Sequence, residues 1–143
     1  MSFVAIDPGE IHVGWAWFTP DHGEYSCTEA EEITPDQLLE RLRGNQNYWE
    51  YVVIENFTVY PHTATALIGT DLATSRLIGR VEEICHTQGV ALIKQPAHIL
   101  RTTNELLKFK HIPLVSRGHG GHARDAELHG WFRVWQGRDK LTP

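Results

Sequence analysis

The chain has 143 residues, 41% of them hydrophobic, with five tryptophans and a formal charge of −5. That length predicts one domain over 1–143, able to bury roughly 70% of its unfolded surface without staples. Two cysteines, Cys27 and Cys85, are too few for a disulfide framework, no apolar run is long enough to span a bilayer, and no basic leader precedes the first strand, so a cytoplasmic protein is expected.

The first predicted strand, 3–7, is apolar and ends in Asp7, where Pro8-Gly9 breaks it. Strands at 12–18 and 24–30 follow, joined by a turn at Asp21-His-Gly23. Val, Ile, Phe and Trp dominate the first two, as suits a pleated, half-buried surface. Thr34 can cap a helix whose first position is Pro35 and whose end is Gly44, with Leu38, Leu39 and Leu42 on its apolar face. Tyr51–Glu55 is a buried strand closed by a second acid. A polar and aromatic loop, 56–62, leads to a long helix over 64–87. Leu67, Ile68, Leu77, Ile78, Val81, Ile84 and Cys85 fall there at helical spacing. Gly69 and Gly79, each costing about 1 kcal/mol relative to alanine, mark expected close approaches to another element. A strand at 90–93, a helix from Pro96 to about Phe109 and a last helix over roughly 119–136 complete the chain. The last helix carries His122, Asp125 and an apolar stripe of Leu128, Trp131, Phe132 and Trp135. Three hairpin-linked strands followed by strand–helix alternation predict an α/β fold with a mixed five-stranded sheet, part antiparallel and part parallel, flanked by helices.

Charge is unevenly placed. Residues 1–93 carry 4 basic and 14 acidic side chains, whereas residues 94–124 carry 6 basic ones (Lys94, Arg101, Lys108, Lys110, Arg117, Arg124) and a single acid, Glu105. A basic third beside an acidic site fits a phosphate backbone; an uneven solvated surface is the plainer reading.

Singly, each acid also has an ordinary role. Asp7 before Pro-Gly reads as a turn residue, Glu55 as a solvated edge charge, and Asp125 as an exposed helical acid. Their order is what points to chemistry: strand-end acid, strand-end acid, helical acid. At Ile6-Asp-Pro-Gly9 with Gly14, at Ile54-Glu55 and at His122-x-x-Asp125-Ala126, the chain resembles the RuvC family of Holliday-junction resolvases, and most closely its phage-type members. The resemblance implies a ribonuclease H-like fold and a nuclease that uses two Mg²⁺ or Mn²⁺ ions to cut paired strands of a four-way DNA junction. It also implies a homodimer, working in the bacterial host cytoplasm if phage-encoded. Departures are visible too. Many relatives have aspartate where His122 stands. The family's proline followed four residues later by lysine becomes Pro96 and Leu100, with Arg101 next, and a glycine- and lysine-rich segment is replaced by 102–110.

On this reading Asp7 bridges the ions, Glu55 holds one and Asp125 the other. His122, one turn before Asp125, binds a cation or orients the attacking water. Three clustered carboxylates without a cation would repel and raise one another's pKa. Phe57 and Tyr60 in the loop after Glu55 are candidate wedges against a base, Phe57 having a core anchor as its plainer role. Arg101, Lys108, Lys110 and Arg117 are candidate DNA contacts, and His119 and His129 are expected on the surface or behind the site. A ribonuclease H-like or YqgF-like nuclease acting on RNA or an RNA–DNA hybrid fits the same first motif; a non-catalytic branched-DNA-binding module with a decayed site is a further alternative, which the retention of Asp7, Glu55 and Asp125 makes unattractive. A nucleotide cofactor is not expected. The ATPases that open with a related Asp-x-Gly turn need two such domains, and 143 residues are too few.

Overall fold

The computed structural model describes residues 1–44, 48–56 and 64–141, with the backbone alone for 64–71 and 138–141. Phe57 and Tyr60, the side chains of Leu67 and Ile68, and the surroundings of Gly69 lie outside what is described. Five strands, β1 (Phe3–Asp7), β2 (Val13–Asp21), β3 (Glu24–Ile33), β4 (Tyr51–Asn56) and β5 (Ala91–Pro96), form one sheet in the order β3-β2-β1-β4-β5. β1, β2 and β3 pair antiparallel; β4 pairs parallel with both β1 and β5. Four helices complete it: α1 (Pro35–Gly44), α2 (Ala64–Gln88), α3 (Ile99–Phe109) and α4 (Gly121–Leu141). Among the described residues no helix is long and apolar enough to cross a membrane.

Two-residue alternation decides what the sheet offers on each side. Val4, Ile6, Val13, Trp15, Val52 and Ile54 point into one core, with Leu38, Leu39 and Leu42 of α1 and Leu77, Ile78 and Val81 of α2. Phe3, Ala5, Ala16, Phe18 and Val53 point into the other, with Leu107 of α3 and Ala126, Leu128, Trp131 and Val134 of α4. Extending each strand by one residue places Asp7, Glu55 and Gln95 on the α4 side. Thr34 caps α1 as expected and forms a reciprocal box: the Gln37 N–H donates to Thr34 Oγ1 at 3.1 Å and the Thr34 N–H to Gln37 Oε1 at 2.9 Å.

Several boundaries differ from expectation. β2 runs past Pro20, because β1 stops opposite Phe18 and leaves no partner for an N–H at residue 20. The hairpin closes with a two-residue loop, His22-Gly23, both at positive φ. Two residues of β3 oppose one step of β2 at Trp17/Phe18, so Thr28 is a bulge. Pro96 ends the edge strand β5, paired to Asn56, instead of opening α3. α4 starts two residues later than expected and runs to Leu141. Gly79 is exposed, and a Cβ there would meet nothing within 4 Å, so it marks no close approach.

Candidate functional site

The site lies where α4 crosses the C-terminal ends of β1 and β4. Ile6 and Ile54 are register partners, so Asp7 and Glu55, one residue on, emerge side by side. α4 can reach them because the sheet offers glycine beneath it. A Cβ at Gly14 would stand 1.8 Å from the His122 carbonyl oxygen, and one at Gly130 would stand 1.9 Å from the Phe18 ring. Gly14 on the sheet and Gly130 on the helix let α4 and the sheet approach closely. Close seating presents His122, Asp125 and His129 from one helical face, spaced three and four residues apart.

Asp7 is 5% exposed. Burial, then the charges of Glu55 and Asp125, a hydrogen bond with Glu55 and the charge of Glu32 push its carboxyl up to about 9. None of these groups supplies positive charge. His122 Nδ1 and Asp7 Oδ2 are hydrogen-bonded at 2.8 Å, the imidazole remaining half exposed. The Arg124 guanidinium donates to Asp125 Oδ1 at 3.2 and 3.3 Å. Asp7 is thus within charge or hydrogen-bond reach of Glu55, Asp125 and His122.

Three residues that sequence reasoning left out or placed loosely belong here. Glu32, on β3, accepts the His122 backbone N–H at 3.1 Å, satisfying a first-turn donor of α4 and docking the helix start over the site. His129 is fully buried and contacts Glu55 Oε2 at 2.8 Å; its spacing from His122 and Asp125 was the available signal. Glu127, also fully buried, accepts the backbone N–H groups of Val115 and Ser116 and the Trp131 indole N–H at 2.8–3.1 Å. It pins the α3–α4 connection that carries Arg117. His119 is exposed, as expected.

The cationic residues divide. Lys94 pairs with Glu82, Arg101 with Glu105 and Arg124 with Asp125. Among the described residues Lys108, Lys110 and Arg117 have no acidic partner. Lys108 and Arg117 line a cleft of about 540 Å³ with Arg124, between α3 and the start of α4.

The donor set suits a hard divalent cation: three carboxylates, one of them buried beside the others, with an imidazole that favours manganese. Among the described residues no three acidic, histidine or cysteine side chains stand as a ready-made cage. His122, His129 and Arg124 occupy one oxygen each of Asp7, Glu55 and Asp125. A cation would have to displace or share those partners.

No protein-family model matches the chain, and no curated protein matches its sequence. Solved structures do. A Thermus thermophilus RuvC in complex with Holliday junction substrate superposes with a TM-score of 0.66 at 16% identity, covering 97% of this chain and 96% of that one. A fowlpox virus resolvase in complex with substrate Holliday junction DNA superposes at 0.62 and 11% identity over the full length of both. The fold is that of the RuvC resolvases. Its ribonuclease H-like sheet carries Asp7 on the central strand and Glu55 on the neighbouring parallel strand.

Proposed function

We propose that the chain is a divalent-metal-dependent endonuclease that resolves four-way DNA junctions by paired phosphodiester hydrolysis. The observation that carries this is the buried Asp7 carboxyl, raised to about 9 by burial and by the charges of Glu55, Asp125 and Glu32 around it. Such a cluster is a poor structural element and a good cation site. Two magnesium or manganese ions, held by Asp7, Glu55, Asp125 and His122, would supply the charge that stabilises attacking water and departing 3′ oxygen. The residues do the rest. Asp7, fixed by the end of β1, sets the depth of the site. His122, on Asp7 and half exposed, orients water entering from solvent. Glu32 and Gly14 hold α4 so that His122 and Asp125 stay on the strand ends. Lys108, Lys110 and Arg117 are free of acidic partners among the described residues, and they offer phosphate contacts beside the acidic centre. A two-fold dimer would match paired cuts to a two-fold junction. The solved relatives of the same fold were captured with Holliday junction DNA, which favours branched DNA over RNA as the substrate.

The test is cleavage of a labelled synthetic four-way junction in magnesium or manganese, with linear duplex, flap and RNA–DNA hybrid as controls. Paired, metal-dependent nicks in the junction, absent in Asp7→Asn, are expected. Cutting of hybrid or flap alone would move the substrate, and no cutting by folded protein would overturn the enzyme reading.

A further inference from the structure

Behind Glu55 lies a polar chain that the proposed chemistry does not itself require. Gln95 stands opposite Glu55 in the parallel register of β4 and β5. His129, from α4, bridges the two: its Nδ1 is 2.8 Å from Gln95 Oε1 and its Nε2 is 2.8 Å from Glu55 Oε2. His129 is fully buried and Gln95 is 2% exposed. Glu55 alone reaches the solvent side, its side chain 19% exposed. The neighbours on this side of the sheet are apolar or small: Val53, Ile93, Ala126 and Leu128. A polar pair buried in such company without a ligand-facing task is expensive, and apolar residues would pack there equally well. Gln95 Nε2 is buried without a partner in this orientation; with the amide turned over, its N–H donates to Nδ1 and leaves the Nε2–H of a neutral imidazole for the Glu55 carboxylate.

We propose that His129, oriented by Gln95, is a positioning residue for Glu55: it commits Oε2 and leaves the carboxylate to meet a cation through its other oxygen. This rests on the cation site proposed above. The geometry explains the arrangement. A glutamate on a strand end has three rotatable bonds and, unrestrained, can swing to solvent or chelate through both oxygens. A buried imidazole locked by a second hydrogen bond cannot follow it, so it selects one rotamer and one free oxygen. Partners of this kind, one bond removed from a cation, typically change metal affinity or activity by 10–100-fold when removed. The contact to a ligand comes from Glu55, and His129 acts only through it.

The experiment titrates manganese(II) chloride into wild type, His129→Leu, His129→Gln and Gln95→Met, reading apparent affinity from the metal-induced rise in melting temperature. Metal-free binding to a fluorescent four-way junction and junction-cleavage kcat and KM are measured in parallel. Wild type is expected to respond to manganese. His129→Leu should weaken manganese affinity by about 10–100-fold. Gln95→Met should weaken it less, and His129→Gln, whose amide can still bond Glu55, should recover most of the loss. Metal-free junction affinity and KM should stay at wild-type values while kcat falls. If His129→Leu does not fold, Gln95→Met and His129→Gln decide the matter. Wild-type manganese affinity in His129→Leu, or in Gln95→Met should His129→Leu not fold, would overturn the positioning role and leave the nuclease reading standing. A wild type that neither responds to manganese nor cuts would overturn both.

Discussion

The two faces of the sheet are built from different residues for different ends. On the α1/α2 face the strands present Val4, Ile6, Val13, Trp15, Val52 and Ile54, large side chains that hold the helices a full side-chain layer away. On the α4 face they present Phe3 and Val53 but also Ala5, Gly14, Ala16 and, opposite Gly130, the edge of Phe18. There a helix comes down to backbone contact. The first face gathers apolar area; the second brings Asp7, Glu55, His122, Asp125, Glu32, Gln95 and His129 within hydrogen-bonding or charge reach of one another. Both faces hold an apolar core, and the candidate site is added to the second. Asp7 and Glu55 sit at the rim of this second core, at the ends of their strands, Glu55 with part of its side chain open to solvent.

That contrast can be broken from either side. The largest expected effect is at Asp7. Asp7→Asn should abolish junction cleavage while raising the melting temperature of the metal-free protein at pH 8. The sign follows from the raised carboxyl. Its folded value of about 9 exceeds the ordinary 3.8, so the folded state holds this proton more tightly. The resulting contribution is full below about pH 4 and is lost as pH rises toward 9. Metal-free wild type should therefore lose stability over that window, by melting temperature against pH, and Asp7→Asn should show a flatter profile. A steeper profile in the variant would refute the electrostatic account.

Next in size, Leu38→Ala on the opposite face should cost about 2–5 kcal/mol in denaturant unfolding, the usual range for a fully buried leucine. It should leave manganese affinity of the folded protein unchanged. Gly14→Ala should cost about 1–3 kcal/mol, an overpacking penalty, because its Cβ collides with the His122 carbonyl. Unlike Leu38→Ala it should also depress manganese response and cleavage, since α4 must lift off the strand ends. Equal effects of the two variants on cation affinity would erase the distinction between the faces. The smallest effect is expected at Lys108→Ala: junction affinity should fall modestly, with the slope of log affinity against log salt shallower by about 1. An unchanged slope would remove Lys108 from the phosphate surface.

Much of this site was legible because it is written in local rules. Asp7 and Glu55 end apolar strands, and the parallel register of β1 on β4 then puts both on one face. His122 and Asp125 share a helical face by spacing. Glu32 was hidden because it lies in an acidic run, Glu29-Ala-Glu-Glu32, where only the register of β3 on β2 and the landing point of α4 single it out. The basic segment was half legible. Composition counts Lys94, Arg101 and Arg124 as available cations, yet each is matched to an acid, two of them by nearby residues on the same helix and one across elements. Pro20 and Pro96 misplaced boundaries because proline reads as a breaker, whereas both sit where the sheet asks nothing of the missing N–H. The role of Gly14 required tertiary knowledge, since nothing local distinguishes a glycine under a helix from one in a weak strand.

The measurement that tests the central claim most directly is anomalous diffraction from crystals of wild type and Asp7→Asn soaked in manganese chloride. The account predicts manganese density in wild type bounded by the carboxylates of Asp7, Glu55 and Asp125 on the α4 side of the sheet, and its loss in the variant. Manganese bound elsewhere, or bound equally at that place without the Asp7 carboxylate, would contradict it.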